Sequence, residues 1–214
     1  MDKADLYDTI AQTGKALSSG KRLELLELLA QGERPVQELA GLSALKLTTA
    51  SAHLQVLRRA GLVATRNEGT KVFYRLSGDD VAPLLSMLCA VADRHRAEVE
   101  AVRRTYLGGD GVRQVGREEL LAAVSDGSAV VLDVRPAEEY ASGHIPGAVS
   151  IPLQELPERL AEIPEDAEVV AYCRGKYCVL SYEAVHMLNE HGRRAAVLDE
   201  GVLEWRSEGL NLSA

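Results

Sequence analysis

Six consecutive residues, Cys173-Arg174-Gly175-Lys176-Tyr177-Cys178, carry the side chains with the most chemistry to offer. Val169-Val170-Ala171-Tyr172, just before them, is a short apolar run that reads as a buried strand. Val179 to Leu188, just after them, has apolar residues at helical spacing. Cys173 therefore stands where a strand ends and a loop turns into a helix N-terminus. Backbone N–H groups of such a loop point at its centre, and the helix dipole adds partial positive charge. Arg174 and Lys176 add two cations. Surroundings of this kind lower a cysteine pKa and favour the thiolate, the nucleophilic form. The adjacent glycine and charges set Cys173 apart from a packed core cysteine.

The elements that must position this loop sit in a chain of 214 residues, enough for one large or two small domains. Apolar residues make up 46 %, sufficient for a core, and no run is long enough for a transmembrane helix. The start, Met1-Asp2-Lys3-Ala4-Asp5, is charged and precedes no signal-like apolar stretch. Three cysteines without disulfide-framework spacing suit a reducing cytoplasm. The net charge of −8 is unevenly spread: residues 1–107 carry 15 Lys/Arg against 13 Asp/Glu, and residues 108–214 carry 9 against 19. Within the first part, Lys46, Arg58, Arg59, Arg66, Lys71 and Arg75 face Glu68 alone between positions 46 and 75. Such a local basic patch in an acidic protein is a candidate polyanion-binding face.

In chain order, residues 6–17 form an amphipathic helix and Lys21 to Ala30 a second one with a wide leucine stripe. Pro35 fits the first position of a short third helix, Val36 to Leu42, and Lys46 to Ala60 is a fourth. Residues 62–66 and 71–76 are strands around the turn Asn67-Glu68-Gly69-Thr70. Asp79-Asp80 caps one long helix over 81–106. A short helix, a turn, a polar-faced helix and a basic hairpin spell a winged helix-turn-helix. In that arrangement the second helix enters the major groove and the wing reaches the backbone. The candidate DNA-facing residues are Thr48, Thr49, Ser51, His53, Gln55 and Arg58 on the helix, with Arg66, Lys71 and Arg75 on the hairpin.

The stretch from Thr48 to Val63, Lys21-Arg22-Leu23-Glu24-Leu25-Leu26, and the wing Gly69…Tyr74-Arg75-Leu76 together resemble the ArsR family of bacterial winged-helix repressors. The resemblance spans about residues 5–100. It implies a homodimer on a near-palindromic operator, paired through the first and last helices, here residues 6–17 and 81–106. It also implies that His53 packs or orients the recognition helix, with base contact the alternative. Many relatives bind metal through a Cys-x-Cys on the third helix, which here has no cysteine. Others use Asp-x-His and His-x-x-Glu on the last helix. Here Asp93, His95 and Glu98 overlap in one histidine, so they read as a solvated helix face and no metal site is expected. Cys89 lies on the apolar face of that helix, as filler or, alternatively, in a sulfur-sensing or dimer-interface role.

Leu107-Gly108-Gly109-Asp110-Gly111 ends the helix and opens a linker, 108–113, to a second domain over 108–214. There, a helix over 115–127 and strands over 129–134, 149–151, 169–172 and 195–198 alternate, which argues α/β with a parallel sheet. Ligand sites in such sheets lie at the carboxyl ends of the strands, where Cys173 is. The run Leu132-Asp133-Val134-Arg135-Pro136…Gly143-His144-Ile145-Pro146-Gly147-Ala148, the loop Tyr172-Cys173-Arg174-Gly175, and Gly201…Trp205 resemble the rhodanese signatures over about residues 112–212.

That resemblance implies sulfur transfer. The Cys173 thiolate attacks a sulfane sulfur donor such as thiosulfate or a persulfide, holds the outer sulfur as a persulfide, and passes it to an acceptor thiol or cyanide. The six-residue loop, Cys173 to Cys178, has the sulfur-handling length; related phosphatases carry one more residue and a terminal arginine. Asp133, Arg135 and His144 read as scaffold. Glu200 stands where the family often has a second glycine before Gly201. Cys178 is either a packed first-turn residue or a second thiol that attacks a Cys173 persulfide.

The expected protein is thus a mainly α winged helix-turn-helix domain (1–107) followed by an α/β rhodanese-like domain. Its expected function is that of a cytoplasmic DNA-binding repressor coupled to sulfane sulfur, needing no cofactor. The alternatives are a sulfurtransferase tethered to a DNA-binding module and a metal- or metalloid-responsive repressor.

Overall fold

The computed structural model describes residues 2–108 and 111–214; Gly109 and Asp110 of the expected linker lie outside the described residues. The chain packs as two compact units, Met1–Leu85 and Ser86–Ala214.

The first unit opens with α1 (Lys3–Leu17). Its cap is reciprocal: the Asp2 carboxylate accepts from the Asp5 amide, and the Asp5 carboxylate accepts from the Asp2 amide. Then come α2 (Gly20–Ala30), β1 (Arg34–Pro35), α3 (Val36–Leu42), α4 (Leu47–Arg59) and a hairpin of β2 (Val63–Glu68) and β3 (Lys71–Leu76). Apolar positions at helical spacing bury Leu25 and Leu26 of α2, Leu39 of α3, and Leu54 and Leu57 of α4. The three strands form an antiparallel sheet in the order β1-β3-β2. Strand β1 was not anticipated, because two residues carry no period. It places Pro35 as the N-cap of α3, whereas Pro35 was expected at the first helical position. The expected four-residue hairpin turn tightens to Gly69-Thr70, with Glu68 paired to Lys71. Gly69 supplies the positive φ of 57° that so short a turn requires.

Helix α5 (Val81–His95) begins in the first unit and ends in the second. The single helix expected over 81–106 is in fact two. Arg96 takes an extended conformation, φ −129° and ψ 97°, and α6 (Ala97–Leu107) starts after it. The charges explain the break. Arg94 ends α5 with a cation, and Glu98 and Glu100 open α6 with anions, each the preferred sign for its terminus.

The second unit continues with β4 (Gln114–Val115), α7 (Arg117–Ser125), β5 (Ala129–Asp133), α8 (Ala137–Ala141), β6 (Val149–Ser150), α9 (Leu156–Arg159), β7 (Glu168–Tyr172), α10 (Val179–Glu190), β8 (Ala195–Leu198) and α11 (Val202–Ser207). The helix expected from Val115 starts only at Arg117, because Val115 is buried in β4 beside Leu198. Five strands form a parallel sheet in the order β4-β8-β7-β5-β6. β7 is central, and its residues alternate between two cores. Val169, Ala171 and Cys173 face the core built with α10, while Val170 and Tyr172 face the core that holds Trp205.

Candidate functional site: a cysteine loop and a polar helix

Cys173 follows the last residue of β7, and Cys178 is the N-cap of α10. The loop between them is held from behind by α11. Val202 N–H donates to the Cys173 carbonyl at 3.3 Å, and Leu203 N–H to the Arg174 carbonyl at 2.9 Å. Gly201, just before α11, lies under the loop so closely that a Cβ there would stand 2.5 Å from the Cys173 oxygen and 2.5 Å from the Gly175 nitrogen. Only a glycine permits that approach. Glu204, one turn on, accepts from Gly201 N–H at 2.8 Å and from Lys176 N–H at 3.5 Å. Burial pushes its carboxyl up. Sequence reasoning missed Glu204; its place three residues after the Gly201 N-cap was the available signal.

The electrostatics differ from the expectation. Cys173 is 1 % exposed. Its sulfur lies 3.5 Å from the Cys178 carbonyl, 3.9 Å from the Gly175 carbonyl and 3.7 Å from Ser181 Oγ. Burial, reinforced by Cys178, pushes the Cys173 thiol up, whereas a lowered pKa was expected there. Interaction with the Cys173 thiol first, and the Arg174 charge with it, pulls Cys178 down to about 7. The cations that were to activate Cys173 are matched by carboxylates. Arg174 makes a forked pair with the fully buried Glu139 of α8, at 2.7 and 3.1 Å to one oxygen and 3.0 Å to the other. Lys176 pairs with Asp93 of α5, and Tyr177 OH donates to the same carboxylate at 2.7 Å. Asp93 was expected on a solvated helix face; it is instead half-buried on the cysteine loop. No spacing rule joins positions 93 and 176, so this pairing was invisible to the sequence.

The rest of the expected scaffold is one buried network. Arg135 donates to Asp133 from Nε at 3.0 Å and Nη2 at 2.5 Å, and to the Gly143 carbonyl at 2.9 Å. Tyr172 OH donates to Asp133 at 2.5 Å and accepts from Ile145 N–H at 3.0 Å. Burial first, and the Asp133 charge second, push the Tyr172 phenol up, so it stays a donor. The Tyr172 hydroxyl ties the loop strand to the turn around His144. His144 stacks on Tyr140 at 3.7 Å between ring centroids. Glu200 turns away from the loop to Arg117, 2.7 Å away.

In the first unit α4 presents Thr48 and Thr49, both exposed, at its N-terminal end, and Arg58 exposed near its C-terminal end. Ser51 and His53 are half-buried. Gln55 is half-buried and donates to Tyr74 OH of β3 at 3.0 Å, so it ties the helix to the wing. On the hairpin, Lys71 and Arg75 are exposed. Arg66 is engaged by Glu33 at 3.1 Å and Glu68 at 2.5 Å. Among the described residues no helix is long and apolar enough to cross a membrane.

Comparison with known proteins agrees with both halves. Residues 19–65 match the family described as bacterial regulatory protein, arsR family, and residues 116–208 match the rhodanese-like domain. The chain is 49 % identical over 208 residues to the HTH-type transcriptional regulator Rv0324 of Mycobacterium tuberculosis, covering 97 % of this chain and 92 % of that protein. It is 36 % identical over 105 residues to a sulfurtransferase of Allochromatium vinosum, covering 48 % of this chain and 96 % of that one. Among solved structures it is similar to the homodimeric winged helix-turn-helix DNA-binding domain of Mb0332 from Mycobacterium bovis. That match has 51 % identity over 45 % of this chain and 89 % of that one, with a TM-score of 0.42.

Proposed function

Because the chain belongs to the ArsR-family helix-turn-helix transcriptional regulators that carry a rhodanese-like domain, we propose that it is a repressor whose DNA affinity responds to sulfane sulfur accepted on Cys173. The assignment gives residues 1–107 to DNA binding and dimerisation, and residues 108–214 to sulfur chemistry. The protein acts in the cytoplasm on a near-palindromic operator, read by Thr48, Thr49, Ser51 and Arg58 with Lys71 and Arg75 on phosphates. It acts as a homodimer. Leu6, Tyr7 and Ile10 on α1, and Leu84, Met87, Leu88 and Val91 on α5, leave large apolar side chains exposed, as a dimer seam needs.

The observation that carries the sulfur reading is the position of Cys173: at the carboxyl end of the central strand, in a six-residue loop packed on Gly201 without room for a Cβ. In the step itself, Cys173 passes its proton to the more acidic Cys178, present as the thiolate, and attacks the outer sulfur of a persulfide R–S–SH. The donor's S–S bond breaks with its electron pair leaving on R–S⁻, and Cys173–S–SH forms. The loop backbone then holds the added sulfur, and an acceptor thiol can later take it.

The test is binding to the protein's own promoter DNA at fixed salt, with and without a persulfide donor, in the wild type and Cys173→Ser. A donor-dependent change that disappears in Cys173→Ser is expected. Unchanged DNA binding with efficient sulfur turnover would instead support a sulfurtransferase tethered to a DNA-binding module, a reading favoured by the likeness to the Allochromatium protein.

A further inference from the structure

We propose that Asp93 sets the donor preference of the Cys173 loop, steering it away from the thiosulfate dianion and toward persulfides of lower charge, by holding Lys176 in an ion pair. The proposal deepens the reading of Cys173 as a sulfur acceptor and rests on it. Asp93 lies near the C-terminal end of α5, more than eighty positions before the loop, and takes both Lys176 and Tyr177. The pair is shielded: the side chain of Lys176 is 18 % exposed and that of Asp93 is 29 % exposed. Burial works against ionising Asp93, but the hydrogen bonds from Lys176 and Tyr177 outweigh it and hold the carboxyl below its usual range.

The consequence for the ligand follows from charge. Arg174, the other loop cation, is matched by Glu139. With Lys176 matched by Asp93, each cation of the loop faces a carboxylate. Glu204 adds a further carboxyl behind the loop, bonded to the Lys176 amide. Thiosulfate brings two negative charges into this enclosure, and a persulfide brings one or none. A dianion therefore loses more than a persulfide from the neutralisation of Lys176, and gains more if that cation is released. One unit of charge about 10 Å away, at an effective dielectric of about 20, changes the relative binding of ligands differing by one charge by roughly tenfold.

The experiment uses the full-length protein and follows persulfide formation on Cys173 by intact mass. The donors are thiosulfate and cysteine persulfide, which carries less negative charge than thiosulfate, compared by kcat/KM. In Asp93→Asn, which keeps an acceptor for Tyr177, the thiosulfate-to-persulfide ratio is expected to rise about tenfold, mostly through a lower KM for thiosulfate. The gain should shrink as salt rises. It should vanish in the double variant Asp93→Asn/Lys176→Met, which separates the Lys176 charge from a general loosening of the loop. An unchanged ratio in Asp93→Asn while Cys173 still loads, or a gain that survives in the double variant, would overturn the proposal. Failure of both donors to load the wild type would overturn the acceptor reading, and the proposal with it.

Discussion

Gly201→Ala isolates the packing that shapes the cysteine loop. Gly201 has φ −143°, a backbone conformation open to alanine, so the substitution introduces a methyl group without backbone strain. That methyl group would stand 2.5 Å from the Cys173 oxygen, 2.5 Å from the Gly175 nitrogen and 2.6 Å from the Gly175 Cα, where ordinary van der Waals separation begins at 3.4 Å. All three are backbone atoms, so no rotamer change relieves the clash. The loop must retreat by about 0.9 Å, the difference between 3.4 and 2.5 Å. Overpacking of this kind costs about 1–3 kcal/mol. In a unit of this size that lowers the melting temperature by roughly 3–15 °C. The retreat also carries Cys173 off its seat, and a misplacement of about 1 Å slows positioned chemistry by about a hundredfold. Calorimetry and the rate of persulfide loading on Cys173 report the two effects separately. Gly116→Ala is the control, since a Cβ there meets nothing within 4 Å. A Gly201→Ala protein that melts with the wild type and loads sulfur at the same rate would refute the claim that Gly201 seats the loop.

Replacing Arg174 by methionine takes the forked partner from the buried Glu139 and should destabilise the second unit by about 3–5 kcal/mol, while Arg174→Met/Glu139→Leu should recover most of that loss in thermal unfolding. Thiolate absorbance in the ultraviolet should titrate at about pH 7, the pKa of Cys178. Because this acid is depressed in the folded protein, the stability it contributes is complete above the unfolded thiol pKa and is lost as pH falls through about 7. The step should move up in Cys173→Ala, which removes the S–H donor, and disappear in Cys178→Ala. Tyr172→Phe should cost about 1–3 kcal/mol, because Ile145 N–H and Asp133 lose a buried partner. Lys71→Ala and Arg75→Ala should each lower the salt slope of DNA binding by about 0.9 for every phosphate the side chain no longer neutralises. Arg66→Ala should lower it less, since Glu33 and Glu68 already engage that side chain.

Local pattern was enough for the elements around both sites. The leucine period of α2, the polar face of α4, the glycine hairpin and the strand before Cys173 are short-range features, and each forms within a few residues of its expected bounds. Both family resemblances rest on such runs, so they too were legible in the sequence. The misses are elements too short to show a period, β1 and β4, and the break at Arg96, where charge at helix ends outweighs a continuous apolar stripe.

What no local pattern carries is the pairing of distant charges. From sequence, Arg174 and Lys176 are two cations beside a cysteine. In the fold, Glu139 and Asp93 reach them from 35 and 83 positions away. Residue type sets how much charge a loop holds, but Coulomb interaction depends on distance through space, and only tertiary packing sets that distance. The residue types and spacing of the chain therefore determined that a cysteine loop joins a strand to a helix and that a polar-faced helix precedes a basic hairpin. Tertiary structure decided that the loop's cations are neutralised, that Cys173 is buried as a thiol beside a more acidic Cys178, and that a residue of α5 holds the loop.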